Sequence, residues 1–385
     1  MNIKNKTLMI IADSHSPDAR LQKEINSLNS HQYSVDTICW DRENNPLLPS
    51  FYEKNSNHIF RYKTISKRGS PFLFLFNIIR FYWYILCTTR KISFDFIHIH
   101  SFQVLPIGII LKLFYRKPLI YDVHEVTETF GNNLVNGFGK IIWKLEKLLL
   151  RYVNQLIAAT EPLAQRYNPY FLYRNEPIFL LNCLPYIKNN FQLNDNRKTE
   201  FIIGRIGNLR PKSRIDLITE IINRLSKRGN NIKFIIAGQN IAGYEVESKP
   251  RIKSLGKLVE YVPWIPIHEF KNYYGIFDII LNIHEKGDPL EEKYAYFSKV
   301  FESISFGVPV VINDFPTMTD FVKENNIGEV VYNLEVDSFV EKIEYLIKNK
   351  SALIEKRENC KVVAKEKVNW QIMEMKLIKA YQNLN

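Results

Sequence analysis

The amino-acid sequence predicts an α/β fold of two Rossmann-like domains that face each other across a cleft, with a C-terminal helix that returns to the N-terminal domain. Short apolar runs with strand character alternate with helix-like runs in both halves of the chain, which is typical of doubly wound parallel sheets. A polar stretch without periodicity, residues 188–198, interrupts this alternation. The length of 385 residues is also more than one hydrophobic core usually covers.

The predicted segments are an N-terminal domain at 1–187, a linker at 188–199, a C-terminal domain at 200–368 and the returning helix at 369–385. The predicted strands of the first domain are 7–12, 34–39, 94–99, 118–123, 155–159 and 177–181. Those of the second domain are 201–206, 232–238, 259–262, 277–282, 308–312 and 329–332. Apolar residues at helical spacing lie between them, so both halves repeat β–α units.

The segment 296–313, YFSKVFESISFGVPVVIN, is the most informative part of the chain. It predicts a short helix with Ser298 as its N-cap, a stop at Gly307 and then a buried strand. Lys299 and Glu302 are three residues apart, so they share one face close to the positive helix N-terminus. This spacing fits an exposed ion pair, and it also fits a site in which a carboxylate binds ribose hydroxyls and a lysine binds a diphosphate.

The composition is that of a globular protein, with 46% hydrophobic and 24% charged residues. The net charge of +12 is concentrated in the first half, where residues 1–185 contain 22 Lys and Arg against 14 Asp and Glu. This basic half suggests an anionic surface or substrate, but no nucleic-acid-binding motif accompanies it. The four cysteines are far apart, which argues against disulfides and a zinc site. Because no signal peptide is visible, we expect a cytoplasmic protein.

The most hydrophobic segment, residues 71–86, contains Arg80 and is shorter than a membrane-spanning helix requires. It fits a buried helix of the first domain. Its aromatic residues and basic flanks also fit a helix that lies in the interface of a membrane.

Ligands of parallel sheets bind at the carboxyl ends of the strands, and here that edge is rich in basic residues. The dinucleotide fingerprint, the P-loop and the G-x-S-x-G elbow are absent from the sequence, and no residues show metal-ligand spacing. A site without a metal would have to bind phosphate through cations and N–H groups. Arg205, Arg210 and Lys212 surround the first turn of the second half, and together with Lys299 and Glu302 they predict a diphosphate-ribose site.

The opposite side of the predicted cleft would carry residues from the first domain. His124 follows the predicted strand 118–123 directly, so we expect its side chain to point into the cleft. Asp18, Arg20 and Glu125 are expected to face the same space. A structural role for the lone histidine is the alternative.

The order of these motifs resembles that of the GT-B glycosyltransferases of the family 4 type, over nearly the whole chain. The matching segments are Asp18–Glu24 (DARLQKE), Leu119–Glu125 (LIYDVHE), Leu181–Asn182, Ile236–Gly238 (IAG) and Ser298–Val311 (SKVFESISFGVPVV), followed by Trp370 and the last helix. The fourteen-residue segment that begins at Ser298 is the most specific match.

The resemblance implies a transferase that moves a sugar from a nucleotide-diphosphate sugar to an acceptor hydroxyl, usually with retention and without a metal or other cofactor. It implies that Glu302 binds ribose, that Lys299 binds the diphosphate and that His124 contacts the donor sugar, and these three are the predicted catalytic residues. The predicted donor-binding residues are Arg205, Gly207, Asn208, Arg210, Lys212, Gly238, Trp264, Ile265, Tyr294, Ser298, Lys299, Val300 and Glu302. The predicted acceptor-side residues are Asp18, Arg20 and Glu125.

Two departures from the family pattern leave alternatives open. Tyr294 stands where many members carry a second glutamate, and the basic turn is irregular, so Arg205, Arg210, Lys212 and Arg214 all compete for the diphosphate. The alternative functions are a non-catalytic partner that binds a nucleotide sugar, an epimerase and a phosphorylase. We expect a saccharide or lipid-linked saccharide acceptor, cell-surface polysaccharide synthesis, and peripheral contact with the anionic inner face of the cell membrane.

Overall fold

The computed structural model describes residues 5–13, 19–54, 57–65, 71–129, 137–171, 175–188, 200–241, 245, 250–263, 265 and 269–384. The chain forms two compact units. Unit 1 comprises Met1–Leu180 together with Met373–Asn385, and unit 2 comprises Leu181–Ile372. Most of the predicted linker, residues 189–199, lies outside the described residues. Unit 1 is therefore built from two separate stretches of sequence, whereas unit 2 is continuous.

Unit 1 contains an eight-stranded sheet within its described residues, in the order β3-β4-β2-β1-β5-β6-β7-β8. The strands are β1 (Asn5–Ile11), β2 (Tyr33–Asp41), β3 (Phe51–Lys54), β4 (Asn57–Lys63), β5 (Phe96–His100), β6 (Leu119–Val123), β7 (Gln155–Ala158) and β8 (Ile178–Phe179). Among the strands that the structure describes in this unit, only β3 and β4 pair antiparallel. The helices are α1 (Ala19–Ser30), α2 (Pro71–Thr89), α3 (Leu105–Tyr115), α4 (Phe138–Leu149) and α5 (Glu161–Tyr167).

Helix α2 contains the hydrophobic segment whose environment the sequence left open. One face is buried in unit 1, where Phe81 and Ile85 are inaccessible to solvent. The opposite face exposes Ile79 and Trp83, each by more than half of its surface. The helix therefore combines a core-facing and an accessible apolar face. Among the helices that the structure describes, none has the length and hydropathy needed to cross a bilayer.

Unit 2 contains a six-stranded parallel sheet within its described residues, in the order β11-β10-β9-β12-β13-β14. The strands are β9 (Phe201–Ile206), β10 (Ile232–Ala237), β11 (Val259–Val262), β12 (Ile279–Asn282), β13 (Val310–Asn313) and β14 (Gly328–Val331). The helices are α6 (Ile215–Lys227), α7 (Pro250–Leu255), α8 (Phe270–Tyr274), α9 (Pro289–Tyr294), α10 (Ser298–Ser305), α11 (Pro316–Glu324), α12 (Val336–Lys348) and α13 (Lys350–Glu366). The predicted α/β class with two Rossmann-like sheets is confirmed.

The topology of unit 2 fixes where a ligand can bind. The chain runs from β9 outward to β10 and β11, then returns to place β12 on the other side of β9. The loops that follow β9 and β12 therefore diverge and leave a crevice at the carboxyl edge of the sheet. Buried aliphatic residues of α6 and α12, such as Ile221 and Ile343, form the core on one face of this sheet and hold the edge in place.

The last helix, α14 (Trp370–Gln382), enters unit 1 as the sequence predicted. Its Tyr381 is fully buried and shares a 2.9 Å hydrogen bond with Nδ1 of His98 on β5. The Tyr381 ring also packs edge-on against Tyr33 and in a tilted arrangement against Phe96. These contacts make the end of the chain part of the core of unit 1.

Candidate functional site

Helix α10 follows the predicted pattern except at its first residue. The N-cap is Phe297 and not Ser298, which is the first helical residue, and no side chain caps the helix. The predicted N-cap was therefore wrong by one position. Gly307 adopts a left-handed φ of +70° directly after the C-cap, which confirms the predicted helix stop.

Lys299 and Glu302 form a constrained ion pair. The Lys299 ammonium group donates to both carboxylate oxygens of Glu302, at 2.9 Å and 2.8 Å. The Tyr274 hydroxyl donates to the same carboxylate at 3.2 Å, and the Lys299 nitrogen lies 5.3 Å from the centre of the Phe270 ring. The side chains are only 28% and 13% exposed. Packing thus holds the pair in place, whereas an ion pair on a fully solvated helix surface would lack these contacts.

Two glycines bring the ends of β9 and β10 against this helix. A Cβ atom on Gly238, whose φ is +155°, would lie 1.9 Å from the carbonyl oxygen of Gly207. Gly207 has a φ of +129°, and a Cβ there would lie 3.2 Å from Cε of Lys299. Only glycine permits this backbone conformation and approach. Gly207, Gly238, Lys299 and Glu302 are therefore brought together, as the sequence predicted.

The basic residues near the end of β9 and in the turn that follows it differ in their burial. Arg205 is only 2% exposed and donates from Nη1 to the Ile206 carbonyl at 2.8 Å, whereas Arg210 and Lys212 are exposed. Burial lowers the pKa of Arg205 to about 10, which leaves the guanidinium charged at neutral pH. The backbone N–H of Glu285 donates to the Lys212 carbonyl at 3.0 Å, so the turn is attached to the loop that follows β12.

A histidine that the sequence reasoning missed lies beside Arg205. The Nε2 atom of His284 is 3.2 Å from Oδ1 of Asn282, and its ring stacks on Phe297 at 4.2 Å between centroids. The Asn313 side chain bonds both the N–H and the carbonyl of His284. Burial, followed by the charges of Arg205 and Arg210, lowers the pKa of His284 to about 3 and keeps it neutral.

In unit 1, His124 follows β6 and packs against a buried carboxylate. Its Nε2 atom lies 3.5 Å from Oδ2 of Asp122 and 3.3 Å from Nδ1 of His100, and its side chain is 23% exposed. His100 and Asp122 are register partners of the parallel pair β5–β6, which is why their side chains meet. Arg20 donates from Nη2 to both Asp122 oxygens at 2.7 Å.

Of the predicted acceptor-side residues, Arg20 is placed differently from the expectation. Arg20 is only 6% exposed, and besides Asp122 it binds Glu24 through Nε at 2.9 Å. A direct contact of Arg20 with an acceptor does not fit this buried position, so we correct that assignment to a structural role. Glu125 is exposed, and Asp18 lies outside the described residues.

The same buried region contains a group that could offer four ligand atoms to a metal ion. It consists of Glu24, His98, His100 and Asp122, whose candidate atoms all lie within 4.8 Å of one another. The guanidinium of Arg20 already bonds both carboxylates of this group. The absence of a metal from the reaction stays a prediction.

Sequence profiles of two families match the chain consecutively. "Glycosyltransferase Family 4" matches residues 25–183, and "Glycosyl transferases group 1" matches residues 187–367. The chain is a family 4-like glycosyltransferase of the GT-B fold.

Solved structures support the fold of this glycosyltransferase over its whole length. Sucrose-phosphate synthase from Thermosynechococcus elongatus is 14% identical, with a TM-score of 0.75 over 99% of both chains. Anabaena Alr3699/HepE in complex with UDP and glucose is 15% identical, with a TM-score of 0.68 over 99% of this chain and 100% of that chain.

Curated relatives of the glycosyltransferase are distant and longer. Chitobiosyldiphosphodolichol beta-mannosyltransferase of Candida albicans is 22% identical over 66% of this chain and 60% of its own length. Poly(ribitol-phosphate) alpha-N-acetylglucosaminyltransferase of Staphylococcus aureus is 27% identical over 54% of this chain and 40% of its own length. The matched regions thus span about half the length of these relatives.

The remaining predicted donor residues of the glycosyltransferase occupy varied environments. Val300 and Ile265 are buried in unit 2, and the N–H of Val300 donates to the Phe297 carbonyl at 2.9 Å. Both side chains therefore support the site by packing and are not positioned to contact a ligand directly. Asn208 is exposed, Tyr294 ends α9 with partial exposure, and Trp264 lies outside the described residues.

A sequence signal for the missed residues exists, although it is weak. Asn282 and Asn313 are polar, yet each is the last residue of an otherwise apolar strand, and both are buried. Asp122 likewise lies near the end of an apolar strand. A polar side chain at the carboxyl end of a buried strand is a candidate for the ligand edge of the sheet.

Proposed function

We propose that this glycosyltransferase transfers a sugar from a nucleotide-diphosphate sugar to an acceptor hydroxyl, with retention of configuration and without a bound metal. The observation that carries the proposal is the Lys299–Glu302 pair, held next to Gly207 at the carboxyl edge of the unit 2 sheet. The carboxylate of Glu302 accepts hydrogen bonds from ribose hydroxyls, and the Lys299 ammonium binds the diphosphate. The bound UDP of the Anabaena structure supports a nucleotide donor.

The chemistry follows from where charge develops. As the bond between sugar and diphosphate breaks, negative charge increases on the departing diphosphate, and fixed cations at that point lower the barrier. In the proposal, these cations are Lys299, Arg210 and Lys212. The buried Arg205 adds positive charge at longer range. Because these cations replace a divalent ion, transfer should persist in excess EDTA. Activity that is lost in EDTA and restored by Mg²⁺ or Mn²⁺ would refute the metal-independent part.

A thermal-shift panel of nucleoside diphosphates and their sugar conjugates identifies the donor, because a ligand that binds only the native state raises its stability. Transfer is then measured with candidate acceptors, and NMR of the product anomeric proton tests retention. Glu302→Ala should abolish donor binding and transfer, whereas the exposed control Glu341→Ala on α12 should retain both. Donor binding without any turnover would favour a non-catalytic partner. Conversion of the donor in the absence of an acceptor would indicate an epimerase. A reaction that strictly requires inorganic phosphate would indicate a phosphorylase.

We further propose a lipid-linked saccharide or growing cell-surface polysaccharide as the acceptor, reached by peripheral contact with the inner face of the cell membrane. Helix α4 exposes an apolar stripe to solvent, formed by Phe138, Ile141, Leu145 and Leu148. Lys140 and Lys144 are exposed on the same helix. Apolar residues flanked by lysines are typical of helices that bind anionic interfaces. The names of the curated relatives, which include a diphosphodolichol and a poly(ribitol-phosphate), agree with such acceptors.

Vesicle flotation tests this part. The protein should float with vesicles that contain anionic lipid at low salt and bind less to neutral vesicles, because the lysines need counter-charges. Ile141→Glu should reduce flotation, whereas Val362→Glu on α13, at a similarly exposed apolar position, should not. If the protein stays in the soluble fraction under all of these conditions, the membrane contact is refuted.

A further inference from the structure

His98 and His100 present two imidazole rings to the same side of strand β5. They are two residues apart, so the geometry of a strand directs both side chains to one face of the sheet. The rings stack with their centroids 4.4 Å apart, and the residues are 0% and 1% exposed. Two rings that carry potential nitrogen ligands are therefore fixed next to each other inside unit 1.

One nitrogen of each ring makes no hydrogen bond. Nε2 of His98 and Nε2 of His100 are both buried, and neither has a hydrogen-bond partner within the part of the chain that the structure describes. Native proteins contain few such atoms, because a buried polar atom that makes no hydrogen bond is costly. Two of them on adjacent rings point to a bound species that contacts both, and the candidates are a metal ion and a water molecule.

The other nitrogen of each ring faces a group that suits a metal-binding histidine. A metal on Nε2 requires the ring hydrogen on Nδ1, and metal-binding histidines usually donate that hydrogen to an oxygen. Nδ1 of His98 lies 2.9 Å from the Tyr381 hydroxyl oxygen, and Nδ1 of His100 lies 3.6 Å from Oδ2 of Asp122. Nε2 of His124, 3.3 Å from Nδ1 of His100, is a second possible acceptor.

A buried carboxylate lies next to the two rings. Oε2 of Glu24 is 3.9 Å from Nε2 of His100, while its Oε1 accepts from Arg20 at 2.9 Å. The candidate ligand atoms of Glu24, the two histidines and Asp122 all lie within 4.8 Å of one another. Ligands of a tetrahedral zinc ion are about 3.4 Å apart, so a contraction of about 1 Å brings the group to coordination distance. Two carboxylates face one guanidinium here, which favours a cation over an anion.

We propose that unit 1 binds a divalent transition-metal ion through Nε2 of His98, Nε2 of His100 and a carboxylate oxygen of Glu24. Asp122 and Tyr381 are positioning residues that hold the two rings. Two imidazoles and a carboxylate suit Zn²⁺ and Fe²⁺, whereas Mg²⁺ and Ca²⁺ prefer oxygen ligands alone. The ion is structural, since its ligands are enclosed, and it joins helix α1 to strand β5. It takes no part in the proposed sugar transfer, so the inference stands independently of that function.

Metal content tests the proposal without any activity. Protein without a polyhistidine tag is purified, and its metals are measured by mass spectrometry. We expect about one zinc or iron per wild-type chain, and less than about a tenth of that in His98→Gln and His100→Gln. The matched control is His58→Gln, because the partly exposed His58 lies 2.7 Å from Asp36 and 3.7 Å from Glu53 and forms the rival surface group. This control should keep the metal, and an equal loss from it would overturn the proposal.

Metal uptake provides the second test. The wild type is freed of metal by prolonged dialysis against a chelator and then receives Zn²⁺ alone or, without oxygen, Fe²⁺ alone. At about 100 times its Kd, the preferred ion should raise the Tm by about 5–10 °C in the wild type and in His58→Gln but not in His100→Gln. Reversal by one of these ions also distinguishes the site from a Mg²⁺ or Mn²⁺ ion used in the reaction.

The wild type decides the question even if the histidine variants do not fold. X-ray absorption of the metal-loaded protein should show two imidazole ligands, with metal–nitrogen distances of about 2.0–2.1 Å for zinc. A spectrum without imidazole ligands would overturn the proposal. A folded wild type that contains no metal and takes up neither Zn²⁺ nor Fe²⁺ would overturn it as well, and water would then be the partner of both Nε2 atoms.

Discussion

Replacing Glu302 by glutamine should weaken the binding of a nucleoside diphosphate by about 30- to 150-fold. A hydrogen bond to a charged group contributes about 1.5–3 kcal/mol, so two ribose hydroxyls could contribute about 3–6 kcal/mol. The carboxylate already accepts bonds from Lys299 and Tyr274, and these bonds compete with ribose. We therefore expect a loss of about 2–3 kcal/mol, which corresponds to the stated factor.

The contribution of ribose is isolated by changing the ligand as well as the protein. Calorimetric titration is carried out with the best nucleoside diphosphate of the thermal-shift panel and with its 2′,3′-dideoxy analogue. The wild type should bind the analogue much more weakly, whereas Glu302→Gln should bind both ligands almost equally, with a coupling energy of about 2 kcal/mol. The exposed Glu341→Gln variant serves as the control and should behave like the wild type.

One result would refute this reasoning. If removal of the two ribose hydroxyls weakens binding to Glu302→Gln as much as it weakens binding to the wild type, Glu302 does not contact these hydroxyls. This conclusion holds however large the overall loss of affinity in the variant is. The stability of the variant must be measured alongside. Because the ion pair with Lys299 is partly accessible, its removal should lower the free energy of unfolding by only about 1 kcal/mol.

Three further predictions concern the same site and the core of unit 1. Tyr274→Phe removes one donor to Glu302 and should change nucleotide affinity by less than about tenfold in calorimetry, because the carboxylate keeps its lysine. Gly238→Ala should destabilise unit 2 by at least about 2 kcal/mol in urea unfolding, since its Cβ would meet the Gly207 carbonyl, whereas Gly229→Ala, with positive φ but open space, should cost only about 1 kcal/mol. Burial raises the pKa of Glu146 to about 7, so the folded state favours its protonated form. Stability should be greatest below the unfolded pKa of about 4.3 and fall by about 4 kcal/mol as pH rises through 7, and Glu146→Gln should remove this slope.

The sheet of unit 2 was predictable because its strands are short apolar runs bounded by glycine and polar turns. Two predicted strands, 201–206 and 259–262, coincide with β9 and β11. The strands β3 and β4 of unit 1 were missed, because sequences such as NHIFRYK of β4 mix charged and aromatic residues without a strict alternation. β3 lies at the edge of the sheet, where one side is not paired and polarity is tolerated, whereas β4 pairs with both β3 and β2.

The site was predictable where its residues lie on one helix and not where they depend on register. Lys299 and Glu302 are close in sequence, so helical geometry alone brought them together. His100 and Asp122 meet only because β5 and β6 pair in one register, which the local sequence does not specify. The burial of Arg20 follows from the same long-range pairing, and for this reason its predicted acceptor role needed correction.

The division of unit 1 between the two ends of the chain has a consequence for its synthesis on the ribosome. Unit 2 is continuous and can fold as soon as Ile372 has left the exit tunnel. Unit 1, although translated first, lacks the helix that carries Tyr381, and its Tyr33 and Phe96 rings stay uncovered until that helix emerges. The nascent chain therefore offers an open core to chaperones and proteases throughout translation of unit 2. A stop codon in place of Met373 would remove the last helix from unit 1, which is synthesised first, and would leave unit 2 complete.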